Sequence, residues 1–228
     1  MKKTKIMFCA MFGLFAIILS ACGTTNISLA DYLIEHRNNL FTSSDNLYSV
    51  SFSTGLREKD YNFDGEISEL IPFGILTLTR NDGQPLANDV YSYIVTIDGT
   101  AHSGYLEKST NNSFSADLEV NTTGKEEINV QISFTGYTYN QNLENTGSNF
   151  QVDSLTAIKV AENELKKELQ NLLKDKNVKI EVVMKIMKDY SIKESKNYYW
   201  YVGIISTSGN TMGILIDAQN GDIIAKKV

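Results

Sequence analysis

The stretch Asp60-Tyr61-Asn62-Phe63-Asp64-Gly65-Glu66 sets oxygen-bearing side chains at alternate positions and ends in a Gly-Glu pair. A twelve-residue calcium loop takes side-chain oxygens from positions 1, 3 and 5. It turns on a glycine at 6, uses a backbone carbonyl at 7 and closes with a bidentate Glu at 12. Asp60, Asn62, Asp64 and Glu66 are therefore the candidate metal ligands, with calcium as the ion. The twelfth position, however, is Ile71, which carries no oxygen, and Glu69 sits two places early. Pro72 follows where the exiting helix of such a loop would run. A set this short of ligands holds calcium only weakly. The same residues also make an ordinary turn, in which Asp64-Gly65 reverses the chain and Asp60 and Asn62 bond to backbone. The turn is the favoured reading.

The run Tyr198-Tyr199-Trp200-Tyr201 is the second candidate. On a strand, neighbours point to opposite faces. If Trp200 lies under a helix, Tyr199 and Tyr201 present a flat amphipathic surface of the kind protein interfaces favour. They are the candidate partner-binding residues, with the turn Ser206 to Thr211 beside them. Catalytic sets are scarce: the two histidines, His36 and His102, fall in different predicted elements. No Gly-x-Ser-x-Gly elbow, P-loop or dinucleotide fingerprint occurs. The expectation is a protein with no catalytic residues, not an enzyme, and with no obligatory cofactor.

Two unlike halves must position these residues. From Tyr48 to about Tyr139, period-two runs recur: Val50, Phe52, Thr54 and Leu56; Tyr91, Tyr93, Val95 and Ile97; Phe114, Ala116, Leu118 and Val120; Ile128, Val130, Ile132 and Phe134. Asp82-Gly83, Asp98-Gly99 and Thr123-Gly124 mark turns between them. The pattern predicts a mainly β chain whose N-terminal domain is an antiparallel β-sandwich of immunoglobulin-like type. A short helix over Leu29 to Leu40 precedes it, so that this domain spans 29–140, and the polar segment 141–151 is read as a linker. From Ser154 the period becomes helical, with Leu155, Ile158, Ala161, Leu165, Leu169 and Leu172 on one side. Strands follow, with Val178, Ile180, Val182, Met184 and Ile186 alternating. Residues 152–228 thus read as a small α+β domain of one helix and an antiparallel sheet.

Lys2, Lys3 and Lys5 precede an apolar run from Ile6 to Leu19, the layout of a secretory signal peptide over 1–21. Leu19-Ser20-Ala21-Cys22 resembles the lipobox of bacterial lipoproteins, in which the cysteine becomes the lipidated N-terminus. The resemblance implies lipidation of Cys22, a tether over 22–28, and anchoring at the extracytoplasmic face of a cell membrane. Loss of three lysines with the leader takes the formal charge from −6 to −9. Such a surface repels phosphate backbones, so nucleic acid is excluded as a partner. The many Asn, Lys and Ile residues suggest an AT-rich, Gram-positive source.

The C-terminal segment carries a second resemblance. A helix near Thr156 to Leu165, the strand Tyr198 to Ile205, and Ile216-Asp217-Ala218-Gln219-Asn220-Gly221 are similar to a PepSY domain, with Asn220 where the family has Thr. That implies a non-catalytic surface module binding or restraining another exported protein, such as a peptidase. The alternative is a sandwich that binds a glycan or calcium, with the C-terminal half a structural cap.

Overall fold

A computed structural model describes residues 27–188 and 197–228. The leader, Cys22 and most of the tether lie outside the described residues. In chain order the strands are β1 (Leu33–Ser44), β2 (Tyr48–Glu58), β3 (Leu70–Arg80), β4 (Tyr91–Ile97), β5 (Thr100–Thr110) and β6 (Ser113–Leu118). Then come β7 (Glu127–Phe134), β8 (Tyr137–Asn145), helices α1 (Ser154–Glu164) and α2 (Lys166–Leu172), and strands β9 (Ile180–Lys188), β10 (Tyr198–Ser206), β11 (Thr211–Asp217) and β12 (Ile223–Lys227).

The strands form one sheet, in the order β12-β11-β10-β9-β1-β2-β3-β6-β5-β4-β7-β8, and β8 returns to pair with β1. Closure runs through Phe41 opposite Asn145 and Thr42 opposite Glu144. Eight strands, β1 to β8, thus make a closed barrel, and β9 to β12 extend from its wall. This corrects the expected immunoglobulin-like sandwich. The period-two pattern is the same in both architectures; the difference is that the strands at the two ends of the wrapped sheet bond to each other. The inward positions are mostly those the alternation marks, with Leu56, 42% exposed, the exception on β2. Val50, Phe52, Tyr91, Tyr93, Val95, Ile97, Phe114, Leu118, Ile128, Val130 and Ile132 pack into one core with Phe41, Tyr139 and Leu143. Side chains fill a barrel of this strand number, so it is a packed core and not a channel. Outward positions such as Ser51, Ser53, Thr77, Gln131 and Asn142 are polar. That is the inverse of a lipid-facing barrel, whose outer band is apolar. Among the described residues, no helix is long and apolar enough to cross a membrane.

The expected helix over Leu29 to Leu40 is a single 3-10 turn, Leu29–Tyr32, running straight into β1. Tertiary pairing outweighs local preference there, because β1 has partners on both sides. Its first half runs parallel to β9, with Leu33 opposite Val182 and Arg37 opposite Lys185. Past a bulge between Arg37 and Asn39, its second half continues along β2 and meets β8. The extra residue re-aims the strand from one neighbour to the other. Residues 141–145, expected in a linker, are the end of β8.

The C-terminal segment is likewise not a free-standing α+β domain of PepSY type, since β9 continues the barrel sheet through β1. Helices α1 and α2 carry the chain from β8 to β9, so that β9 enters beside β1 in the parallel sense. Asp153 caps α1 by accepting from the Thr156 N–H at 2.7 Å. Ile158, Ala161, Leu165 and Leu169 pack onto Val182, Met184, Ile186, Trp200, Val202, Ile204, Ile214 and Ile216. Leu155, placed on the apolar side by its spacing, is instead 62% exposed. Leu29 is fully buried in this same C-terminal core.

Candidate functional site: the helix-free face of the C-terminal strands

Burying one face of β9 to β11 under the helices leaves the other uncovered. Trp200 is on the covered side, where its Nε1–H donates to the Val152 carbonyl at 2.8 Å. Tyr199 and Tyr201, one residue either way, point to the helix-free side. The structure brings both candidate partner-binding residues to one face, as alternation requires.

Tyr201 is the centre of that face. Gly203 and Gly213 are cross-strand partners on β10 and β11. The Tyr201 side chain lies across them: a methyl carbon built on Gly203 would come 2.6 Å from the Tyr201 hydroxyl, and one on Gly213 would come 3.4 Å from its ring. Two missing side chains therefore make room for a flat aromatic floor. Lys185, opposite Tyr201 on β9, places Nζ 5.5 Å from the ring centroid, within cation–π range. The resulting groove of about 500 Å³ is lined by Lys185, Met187, Tyr201, Gly213, Leu215 and Lys227, among others. Arg37, on the neighbouring β1, stands opposite Lys185 and holds Glu35 at 2.8 Å. Burial holds the Lys185 ammonium below the usual lysine range; Arg37 pushes the same way and Glu35 opposes it. An aromatic floor, aliphatic walls and ammonium groups with no ion-pair partner among the described residues suit an apolar body that carries negative charge.

The turn beside the groove is well anchored. Ser206 is buried, and its Oγ contacts the Ser208 hydroxyl at 2.8 Å and the Asn210 N–H at 3.1 Å. In the sequence Ile216 to Gly221, Ile216 and Asp217 end β11 and the remainder turns toward β12. Asp217 accepts there from the Gln219 N–H at 2.7 Å, and Gly221 takes a φ of 81°.

Residues 60–66 form a loop between β2 and β3. Asp64 accepts from the Glu66 N–H at 2.8 Å, a side-chain-closed turn. Glu66 is drawn to Lys179, 2.7 Å away. Asp60 and Asn62 are exposed. Among the described residues, no three His, Cys, Asp or Glu side chains converge in a way that would hold a metal ion. What seats the loop is Glu181 of β9, only 1% exposed: its Oε1 accepts from the Gly65 N–H at 3.0 Å and its Oε2 from the Tyr61 hydroxyl at 3.1 Å. Glu58, also buried, accepts from the Ser68 N–H at 2.6 Å. His36 and His102 lie on β1 and β5, which are not neighbours in the sheet.

The sequence reading missed Lys185, Arg37, Lys227 and the two glycines. One signal was present: in Val182-Val183-Met184-Lys185-Ile186-Met187, a single lysine interrupts an apolar strand. Cys22 lies outside the described residues.

Compared with known family models, curated proteins and solved structures, the chain matches none. The groove's chemistry is therefore the only guide to its use.

Proposed function

We propose that this is a lipid-anchored, extracytoplasmic, non-catalytic binding protein that engages another exported protein through the helix-free face of β9 to β12. The observation that carries the reading is Tyr201 spread over the Gly203–Gly213 pair beside Lys185. A strand that only needed bulk would fill those positions with β-branched residues; here two are left empty beneath an aromatic ring. Anchoring follows from the lipobox-like Leu19 to Cys22, and the barrel carries the face on a wall polar toward water. An exported peptidase or another surface protein is the partner class.

The test is site-specific photo-cross-linking on intact producing cells. A photoreactive residue at Met187, on the groove rim, is expected to give one discrete adduct that Tyr201→Ala weakens without changing surface level. Adducts at Met187 that Tyr201→Ala leaves untouched would defeat the assignment. A second reading, a glycan ligand on the barrel, has one observation in its favour. Tyr105, 69% exposed, stands beside a depression of about 390 Å³ rimmed by Ser92, Ser103, Gln131 and Ser133. Loss of cell-wall retention in Tyr105→Ala alone would select that reading.

A further inference from the structure

Barrel closure ties β8 to β1 through Glu144 and Asn145, and the extension ends in a further edge at β12. Among the described residues, β12 is the only strand paired on a single side. An open edge presents unpaired N–H and C=O groups to any extended segment. Main-chain bonds then give affinity, and pockets for alternate side chains give specificity.

The two sides of β12 differ. Lys226 turns to the helices, where its Nζ lies 3.1 Å from Glu164 and 3.2 Å from Glu168. Lys227 and Ala225 turn to the groove, opposite Gly213 and Leu215. A strand added beside β12 would send every second side chain over the groove, next to Lys227 and toward Lys185. Neither of these lysines has an ion-pair partner among the described residues, and Arg37, opposite Lys185 on β1, is ion-paired to Glu35. This cationic patch lies on a chain of net charge −6. A second copy fits poorly, because the β12 sequence Ile-Ile-Ala-Lys-Lys offers the groove no carboxylate.

Resting on the reading of this face as the binding face, we propose that the β12 edge takes up an extended segment of the partner protein as an added strand, with acidic side chains on the groove side. The probe is a capped peptide of alternating Glu and Thr, titrated into the isotope-labelled exported chain and followed by amide NMR. Its control is the Lys/Thr counterpart. The expected result is saturable shifts at Ile223–Lys227 and Tyr201, about tenfold weaker binding in Lys185→Gln/Lys227→Gln, and weakening with salt. Ile224→Pro, at the β11–β12 register shift, should block the added strand while the remaining resonances stay dispersed. Equal binding of both peptides, shifts confined to other strands, or no saturable shift would overturn the proposal. So would protection of Ile223–Lys227 by phosphatidylglycerol vesicles with no response to the Glu/Thr peptide, which would make the edge a lipid contact. A Tyr201-dependent adduct at Met187 combined with a peptide that ignores β12 would sink this inference alone. Peptide shifts on β12 without any adduct would sink the broader reading.

Discussion

The Leu29 backbone N–H donates to the Glu162 carboxylate at 2.7 Å, joining the start of the described chain to helix α1 across 133 residues. The Leu29 side chain is fully buried beneath the same helix. With β1 paired to β9, the C-terminal core is completed by residues from the N-terminal end. A fragment of residues 152–228 therefore loses Leu29 and a neighbouring strand together. It should lack a cooperative thermal transition and bind a hydrophobic dye, whereas a chain starting at Ile27 should melt sharply. In that longer chain, Leu29→Ala should cost about 2–5 kcal/mol in denaturant unfolding. A fragment as stable as the longer chain would show that the shared strand contributes nothing.

Trp200 and Tyr201 occupy opposite faces of one strand, and substitution should separate their roles. Trp200→Phe retains most of the burial but removes the donor to Val152, for a loss of about 1–3 kcal/mol. Trp200→Ala should lose about 3–5 kcal/mol. Tyr201→Phe keeps the ring over the two glycines and should fall within about 0.5 kcal/mol of the parent. Chemical denaturation of the three variants checks the ordering. If Tyr201→Phe is as damaging as Trp200→Phe, Tyr201 belongs to the core and not to a binding face.

Much of this arrangement was legible in the chain, and the parts that were not share a physical cause. Period two in Tyr91, Tyr93, Val95 and Ile97 reports which side of a strand is buried, and the structure buries all four. The same pattern is silent about what lies beside the strand, so a closed barrel and a two-layer sandwich look alike until β1 and β8 meet. Leu29, Tyr32, Leu33 and Leu40 have helical spacing, yet β1 is extended because neighbours on both sides bond to it. Nothing local announces those bonds. At the candidate site, alternation placed Tyr199 and Tyr201 on one face. Lys185 joins them through the antiparallel β9–β10 register, and Arg37 only through the parallel β1–β9 register, a contact between segments about 150 residues apart.

The loop from Asp60 to Glu66 should answer to Glu181 and not to calcium. Glu181→Ala strips the Gly65 N–H and the Tyr61 hydroxyl of their charged acceptor, at about 1.5–3 kcal/mol for each bond to a charged group. It should also open residues 59–69 to limited proteolysis. Calcium at about millimolar concentration should leave the melting temperature unchanged, because Asp64 closes a turn and Glu66 holds Lys179. The Tyr61 hydroxyl is held above its ordinary range, first by burial and then by its bond to Glu181 and the charges of Glu181 and Glu58. A folded pKa raised in this way means the protonated hydroxyl stabilises the fold. Its contribution is complete below pH 10 and is lost as pH rises through the folded value. The difference in stability between parent and Tyr61→Phe should therefore shrink above pH 10. A calcium-dependent rise in melting temperature that Asp60→Ala/Asp64→Ala abolishes would return the metal reading.

His36 should make the junction between barrel and extension sensitive to acid. It lies on β1 opposite Leu56 of β2 and Met184 of β9, and its Nε2 is buried with no hydrogen-bond partner among the described residues. Burial pushes its imidazole below the ordinary value of 6.5. At neutral pH the ring is uncharged in both folded and unfolded chains, so its titration contributes no penalty. As pH falls through 6.5 the unfolded chain gains the proton first, and folding must then exclude it. Stability should drop between pH 6.5 and the depressed folded value, then level off once both states are protonated. His36→Phe removes the titration and keeps an apolar ring between Leu56 and Met184. Urea unfolding from pH 7.5 to 4.5 should therefore show the parent losing stability faster than His36→Phe, with the gap opening below pH 6.5. Parallel curves for the two proteins would mean that the imidazole is hydrated in the folded chain and that the β1–β9 seam admits water.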